Sequence, residues 1–348
     1  MPKTALFALL AALAVAFPAR AETLNLLNWE KYIDQSILDA WTAKTGVAVR
    51  QTFFDSGDAR DEILTDPLSN VDLVVISDNA ARLYGRRGVL DAFDQKNVAS
   101  LAEYPEDLRA RCGAFGVPYF TGTMGILYRS DKVSVPPTSW NDLMNPASAL
   151  KGHVAMYNDP TEMFVAPLIA LGKSINASDE PTLRAAFELL KAQGPAVRTY
   201  DYILTSSQDR AYGDELYMAL GYSGDQFALN ETPKSTGDWK FAVPREGTLY
   251  WLDCMSVVAT SPRKALALDL LNHVASAPNA LTNAVRLRRP TPNLKALAET
   301  PEDMRKDEMI YPPAEVLEKS EAPRELTPEG IQIRRRIISS LVNFRDAR

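Results

Sequence analysis

The sequence predicts an α/β protein built in two blocks. Three observations carry this. Short apolar strands alternate with helices through residues 24–88, an order that favours a largely parallel sheet with helices on both faces. Asp72-Leu73-Val74-Val75-Ile76 is a continuous apolar run, as in a strand buried on both faces. The chain has 348 residues, enough for two domains of ordinary size.

The elements follow in order. Met1 to Ala21 has a basic residue, Lys3, an apolar run from Ala5 to Phe17, and a small-x-small cleavage site at Ala19-Arg20-Ala21. It reads as a signal peptide removed before Glu22, its apolar run being short of the roughly 20 residues that span a bilayer. No Cys follows the cleavage site, and no later run is long enough to span, so a soluble exported chain is expected. Leu24 to Leu27 is a strand. Ser36 to Lys44 is a helix, with Ser36 as N-cap and Gly46 at its end. Val47 to Phe53 alternates as a strand, Asp58 to Leu64 is helical, and a helix from Asn79 to Arg87 ends at Gly88.

The second block begins after Pro118. Strands are expected at Gly125–Tyr128, Val154–Tyr157, Tyr217–Tyr222 and Trp239–Val243. Helices are expected at Trp140–Met144, Met163–Leu171 and Pro181–Lys191. After Asp253 a new strand, Ser256–Ala259, and a helix, Arg263–Ala275, follow. Ile331 to Phe344 is an amphipathic tail helix. No Pro-, Gly- or Ser-rich linker separates the blocks, which suggests that the chain crosses between them in strands.

Composition excludes some functions. The net charge is −6, with no basic run and no basic-aromatic alternation, so nothing points to nucleic acid. The two histidines, His153 and His273, lack ligand spacing, so no metal or other cofactor is expected. Cys112 and Cys254 can pair in an oxidising space if the fold brings their α-carbons within about 7 Å, or remain two buried thiols. Gly221-Tyr222-Ser223-Gly224-Asp225 lacks the last glycine of a nucleophile elbow. No nucleotide loop is present. Asp159 and Glu162 are paired carboxylates. They fit acid–base work, or a helix start with Asp159 as N-cap, Pro160 at N1 and Glu162 at N3. Either way they stand at the carboxyl end of a strand, where open α/β sheets bind ligands.

Tyr250-Trp251-Leu252-Asp253 is the most telling stretch. In a strand, Trp251 and Asp253 point to one face, an indole beside a carboxylate. That pair suits an ammonium group, although a core Trp beside a surface Asp fits the same four residues. Other segments join it: Asn28-Trp29-Glu30-Lys31-Tyr32, Asp72 to Ser77, Val117-Pro118-Tyr119 with Gly122-Thr123-x-Gly125, Asp159-Pro-Thr-Glu162-Met-Phe164 and Pro290-Thr-Pro-Asn293-Leu. Together, in this order and spacing, they resemble the periplasmic spermidine/putrescine-binding proteins of bacterial ABC transporters, over essentially the whole mature chain.

The resemblance implies the two-lobed periplasmic-binding-protein fold of type II, with a ligand cleft between lobes that close. It implies lobe one at 22–122 plus 254–296, and lobe two at 123–253 plus 297–348. It implies a polyamine ligand, an inner-membrane permease as partner, a monomer, no catalysis and a periplasmic location. Residue by residue, Trp29 and Tyr32 match an aromatic wall and Ser77 a polar contact. Asp159 and Glu162 match carboxylates for an amine, and Trp251 and Asp253 the central aromatic and carboxylate. Tyr222 stands where the family often has Trp. Four positions depart from the pattern. Glu30 replaces a small hydroxyl residue, Asn79 an aromatic, Thr121 an aromatic, and Arg289 a Tyr. Arg289 keeps its charge and repels an ammonium. It can pair with Glu30 or Glu162, point out of the cleft, or clamp an acid. The last option makes the ligand an amine-plus-acid compound, opine-like or an amino-phosphonate. An exported hydrolase using Asp159 and Glu162 is the rival from another class.

Overall fold

The structure, a computed structural model, describes residues 22–54, 56–207, 212–231 and 238–346. The expected signal peptide, 1–21, lies outside the described residues.

One sheet runs through the molecule. Its nine strands are β1 (Thr23–Trp29), β2 (Ala48–Phe54), β3 (Leu73–Ser77), β4 (Val117–Arg129), β5 (Val154–Ala155), β6 (Val197–Thr199), β7 (Met218–Tyr222), β8 (Trp239–Ala242) and β9 (Tyr250–Val257). They run in the order β2-β1-β3-β9-β4-β7-β5-β6, with β8 paired to β4. The outer pairs are parallel: β1 with β2 and β3, and β5 with β6 and β7. The centre is antiparallel, where β9 lies between β3 and β4, and β4 pairs with β7 and β8. The sheet is therefore mixed rather than largely parallel. Alternating strands and helices in sequence do not reveal that β9 returns from the second block to pair with β3.

The two long strands correct the expected boundaries. β4 is one strand of 13 residues, not a short one at Gly125–Tyr128. Pro118 looks like a break in sequence, but it sits at a register shift between Pro118 and Phe120, where its missing N–H costs no ladder bond. β9 runs unbroken through Asp253 into Ser256, so no new strand starts there. The strand expected at Val154–Tyr157 pairs only over Val154–Ala155. The helix expected from Met163 begins as a tight turn, Glu162–Phe164, before Val165–Ala170.

Helix ends follow local chemistry. The helix Gln35–Thr45 is capped by Asp34, whose carboxylate accepts from the Ser36 N–H, so Ser36 is not the cap. It ends at Gly46, in the left-handed conformation at φ 73°. Asp179 caps Glu180–Gln193 by accepting from the Thr182 N–H.

Buried apolar residues group on either side of the middle of β4. Tyr119 and Phe120 pack with Leu26, Trp41 and Val257. Met124 and Ile126 pack with Trp140, Phe164 and Leu183. The helix Pro328–Asp346 adds Ile338 and Leu341 to this second core. Of the two readings of the cysteines, the structure shows the bridge: Cys112 and Cys254 form a disulfide with α-carbons 5.9 Å apart, tying the helix Glu106–Cys112 to β9.

Candidate ligand-binding site

The site assembles where β1, β3 and β7 end and where β9 crosses the molecule, since the chain leaves a sheet at its strand ends with side chains free of ladder packing. Asp253 is the register partner of Ser77 on β3 and of Phe120 on β4. Opposed residues of an antiparallel pair share a face, so Ser77 stands beside Asp253. Trp251, two residues earlier, lies on that face too and packs against both of the cores described above. Its indole rests on Gly122: a Cβ there would come within 2.2 Å of Trp251 Cζ2. Trp251 Nε1 is buried and has no hydrogen-bond partner among the described residues.

On the β1 side, Trp29 ends its strand and packs on Phe54, its register partner at the end of β2, with ring centroids 4.4 Å apart. Lys31 takes a left-handed backbone at φ 54°, uncommon for a non-glycine residue. The turn delivers Tyr32, whose hydroxyl donates to Asp253 Oδ2 at 2.8 Å. The Tyr32 carbonyl accepts from the Tyr119 hydroxyl at 2.6 Å, and Asn283 Nδ2 donates to that hydroxyl at 2.7 Å. Burial lifts the Asp253 carboxyl to about 6, with the Tyr32 hydrogen bond and the nearby Arg60 pulling it down. Glu30, next to Trp29, is exposed.

On the other side, Asp159 follows β5. Its Oδ1 accepts from the N–H groups of Thr161 and Glu162 at 2.6 and 3.2 Å. Of the helix-start reading, the Asp159 side chain does bind the first amides, but the helical turn begins only at Glu162, with Thr161 rather than Asp159 in the cap position. Glu162 Oε1 accepts from the Tyr222 hydroxyl at 2.8 Å, and Oε2 is buried without a partner among the described residues. Burial, then the neighbouring Asp159 charge, raises the Glu162 carboxyl well above its usual range. Like charges this close do not both ionise readily. Tyr222 meets Trp251 edge to face, with centroids 6.4 Å apart. Tyr202 and Tyr157 extend this wall, 6.2 and 6.5 Å from Tyr222.

Arg289 enters the cleft. Arg288, at φ 52°, ends the helix Ala277–Leu287 and turns outward over Phe227. Arg289 turns inward, its guanidinium 4.7 Å from the centre of the Tyr32 ring. It also lies over Gly224, where an added Cβ would be 3.3 Å from Nη1. Gly224, at φ 104°, makes the turn after β7, so Arg289 spans from the Tyr32 side to the Tyr222 side. Among the described residues it forms an ion pair with neither Glu30 nor Glu162. Its guanidinium lies over the Tyr32 ring, and its charge also acts on the nearby Asp253 and Asp225 carboxylates.

Thus Trp29, Tyr32, Ser77, Trp251, Asp253 and Arg289 gather on one stretch, and Asp159, Glu162 and Tyr222 on the next, with Trp251 between. Among the described residues Glu30 is exposed and forms no hydrogen bond or ion pair with them. Phe54, Arg60, Gly122 and Tyr202 were not foreseen. Phe54 ends a strand beside Trp29, so the strand-end rule would have found it. Arg60 lies on a helix far along the sequence from Asp253 and gives no local signal. Ser223 is buried, and its Oγ accepts from the Thr123 N–H. Neither histidine is near it: His153 contacts the Glu215 carbonyl and His273 that of Ile37. Among the described residues no group of three or more His, Cys, Asp or Glu is placed to hold a metal, and no helix is long and apolar enough to cross a membrane.

The family described as bacterial extracellular solute-binding protein matches residues 36–310. The norspermidine sensor of Vibrio cholerae is 34% identical to this chain over 328 residues, covering 94% of this chain and 90% of that one. The spermidine/putrescine-binding periplasmic protein of Salmonella typhimurium is 27% identical over 323 residues, 90% of each chain. Among solved structures, a spermidine/putrescine ABC transporter substrate-binding protein from Streptococcus pneumoniae superposes with a TM-score of 0.81 at 23% identity, covering 93% of this chain and all of that one. That likeness shows the fold, the two-lobed α/β architecture of periplasmic binding proteins.

Proposed function

The chain belongs to the bacterial extracellular solute-binding proteins, and on that premise we propose that it captures a polyamine, a putrescine- or spermidine-like cation, in the periplasm and delivers it to an ABC importer by lobe closure. One observation carries the reading. Glu162 offers a buried, unpartnered carboxylate oxygen beside Asp159, within one aromatic wall that ends at Trp251 and Asp253. A ligand ammonium supplies the missing donor. Each charge-assisted hydrogen bond contributes roughly 1.5–3 kcal/mol and each cation–π contact about 0.5–2 kcal/mol. A few of each, less the ordering cost of a flexible chain, reach micromolar affinity or better. The names of the relatives support the same ligand class.

In this reading Trp29 and Tyr32 hold the methylene chain, Ser77 and Asp253 a central amine, and Asp159, Glu162 and Tyr222 a terminal one. The lobes are 22–122 with 254–296, and 123–253 with 297–348. The change of core within β4 and the seat of the last helix in the second core support this division. Contacts to both lobes bias the hinge toward closure. The protein acts as a monomer, without cofactor and without chemistry on its ligand. Calorimetric titration with putrescine, spermidine and norspermidine tests the ligand class. Heat with at least one is expected, and none with any would sink it. Recovery of the bound amine in altered form would argue for the hydrolase instead. A chromosomal neighbourhood with permease and ATPase genes is expected; a membrane receptor gene in their place would make the role sensory.

A second reading rests on Arg289, a cation beside Tyr32 that forms no direct ion pair among the described residues, although the charges of Asp253 and Asp225 lie near it. It would clamp the acid of an amine-plus-acid compound while Glu162 holds the amine. Titration with opine-like and amino-phosphonate ligands separates the two.

A further inference from the structure

Arg334 is a fully buried arginine behind the Asp159–Glu162 turn, on the helix Pro328–Asp346 near the chain end. Its guanidinium donates to three backbone carbonyls, those of Pro160, Ile175 and Ala177, at 2.7–2.9 Å. Pro160 lies inside the Asp159–Glu162 turn. The guanidinium also stacks on Phe164, 4.8 Å from its ring centre. Among the described residues it forms no ion pair, and Nε has no partner at all. A buried cation without a carboxylate partner is costly unless nearby charge offsets it. The charges that act on it are those of Asp159 and Glu162.

We propose that Arg334 is a positioning residue for the ligand site: the last helix fixes the Asp159–Glu162 turn through the Pro160 carbonyl and places a buried positive charge behind the two carboxylates. The part that concerns ligand rests on the amine reading of Glu162. The groups that face the Glu162 carboxyl are then Asp159 on its own turn and Tyr222 on β7 with Tyr157 behind it, while Arg334 on the last helix is coupled to the charges of Asp159 and Glu162. In the empty cleft Arg334 answers the negative charge that the pair carries. A ligand ammonium adds a second cation, so binding expels the proton that Glu162 retains. The last helix, which touches no ligand, thereby takes part in the affinity.

The test uses the mature chain with Arg334→Met and Arg334→Lys, titrated with putrescine and spermidine in buffers of different ionisation enthalpy. R334M is expected to weaken binding at least tenfold and to change the number of protons released. R334K, which keeps the charge, is expected to restore proton release while recovering affinity only in part. In an E162Q background the effect of R334M should shrink below twofold. A folded R334M that binds within twofold of the parent, or an equal loss in the E162Q background, overturns the proposal. Should R334M not fold, R334K carries the test, and unchanged affinity with unchanged proton release overturns it. Should the parent bind no amine, the amine reading fails, and hydrogen exchange decides the positioning claim. The Thr161 and Glu162 amides should exchange at least tenfold faster in R334K, and unchanged exchange overturns it.

Discussion

The Tyr222 hydroxyl donates to one oxygen of Glu162 at 2.8 Å, while the other oxygen is buried and unpartnered among the described residues. Tyrosine supplies a single donor, and the turn amides are already taken by Asp159. Glu162 is thus held by the Tyr222 hydroxyl at one oxygen, while the other has no donor among the described residues and the carboxyl of Asp159 stands beside it. Glu162→Gln keeps the shape and removes the charge, so amine affinity should fall at least tenfold. Tyr222→Phe removes only the holding bond and should cost less, about 0.5–1.5 kcal/mol beyond any effect on the edge contact with Trp251. Calorimetric titration of both variants checks the ranking. Equal losses would mean that the hydroxyl, not the carboxylate charge, matters.

Gly122→Ala should disable binding without touching a polar group. Its Cβ would meet the Trp251 ring at 2.2 Å, closer than any real contact, and the opposite neighbour is Ser223 Oγ at 2.6 Å. The indole must swing away from the cleft face, so polyamine affinity should fall at least tenfold. Tryptophan fluorescence of the free protein should shift as well. An unshifted spectrum with unchanged affinity would remove Trp251 from the site.

The affinity should depend on pH through Asp253, and the sign is fixed. Burial holds its carboxyl at about 6, above the ordinary 3.8. An ammonium needs the ionised form, so the Asp253 contribution should be full above pH 7 and fall as pH drops through about 6. Glu162, raised well above its usual range, adds a further gain in affinity as pH rises. Stability of the empty protein should move the other way. A raised folded-state pKa means that the folded form binds the proton more tightly, so these groups add stability as pH falls from about 6 toward 4. Asp225, also raised to about 6 by burial, acts in the same direction. Titrations and melting curves at pH 5 and 7.5 check both. Asp253→Asn should weaken binding at least tenfold at pH 7.5 and remove the fall in affinity centred near pH 6.

How far the residues reveal the molecule depends on the range of the interaction. Capping, apolar runs and strand ends are local, so most elements can be read directly, whereas Trp29, Tyr32 and Tyr222 are singled out only by their match to family motifs. Pairing is not local. Nothing near Val74 or Phe120 in sequence says that β9 lies between them, and so the antiparallel centre and the long β4 were not legible. The same limit hides Arg60 and Arg334, whose effects act across tens or hundreds of residues. Arg289 was visible as a charge but not as a direction. Its inward turn follows from the left-handed Arg288 at the helix end, a conformation that residue type alone does not demand.

The disulfide should contribute to stability rather than to recognition. It closes a loop of 142 residues, and a crosslink of that span stabilises by roughly 2–5 kcal/mol through the unfolded chain. Cys254 sits next to Asp253, yet its side chain points to the opposite face of β9, among Leu252 and Val258. Cys112→Ser with Cys254→Ser should therefore lower the melting temperature by several degrees and leave polyamine affinity within about threefold. A larger change in affinity with little change in melting would mean that the bridge tunes the register of Asp253 instead.

Arg289→Tyr separates the two ligand readings. The guanidinium lies over Tyr32, whose hydroxyl holds Asp253, so any ammonium at Asp253 sits close to a fixed positive charge. Two cations near one carboxylate repel, and an arginine cannot relieve this by losing its proton. Replacing it with tyrosine removes the repulsion and supplies another ring. If the ligand is a polyamine, diamine and triamine affinity should rise, by about threefold to tenfold, and the rise should be greatest at low salt, where repulsion is least screened. If the ligand carries an acid, the same substitution should abolish its binding, because the guanidinium is then its partner rather than its competitor. Titration of the parent and R289Y with putrescine and with an amine-plus-acid compound gives opposite signs for the two cases. A variant that changes neither would place the Arg289 charge outside the reach of any ligand, despite its position between Tyr32 and Gly224.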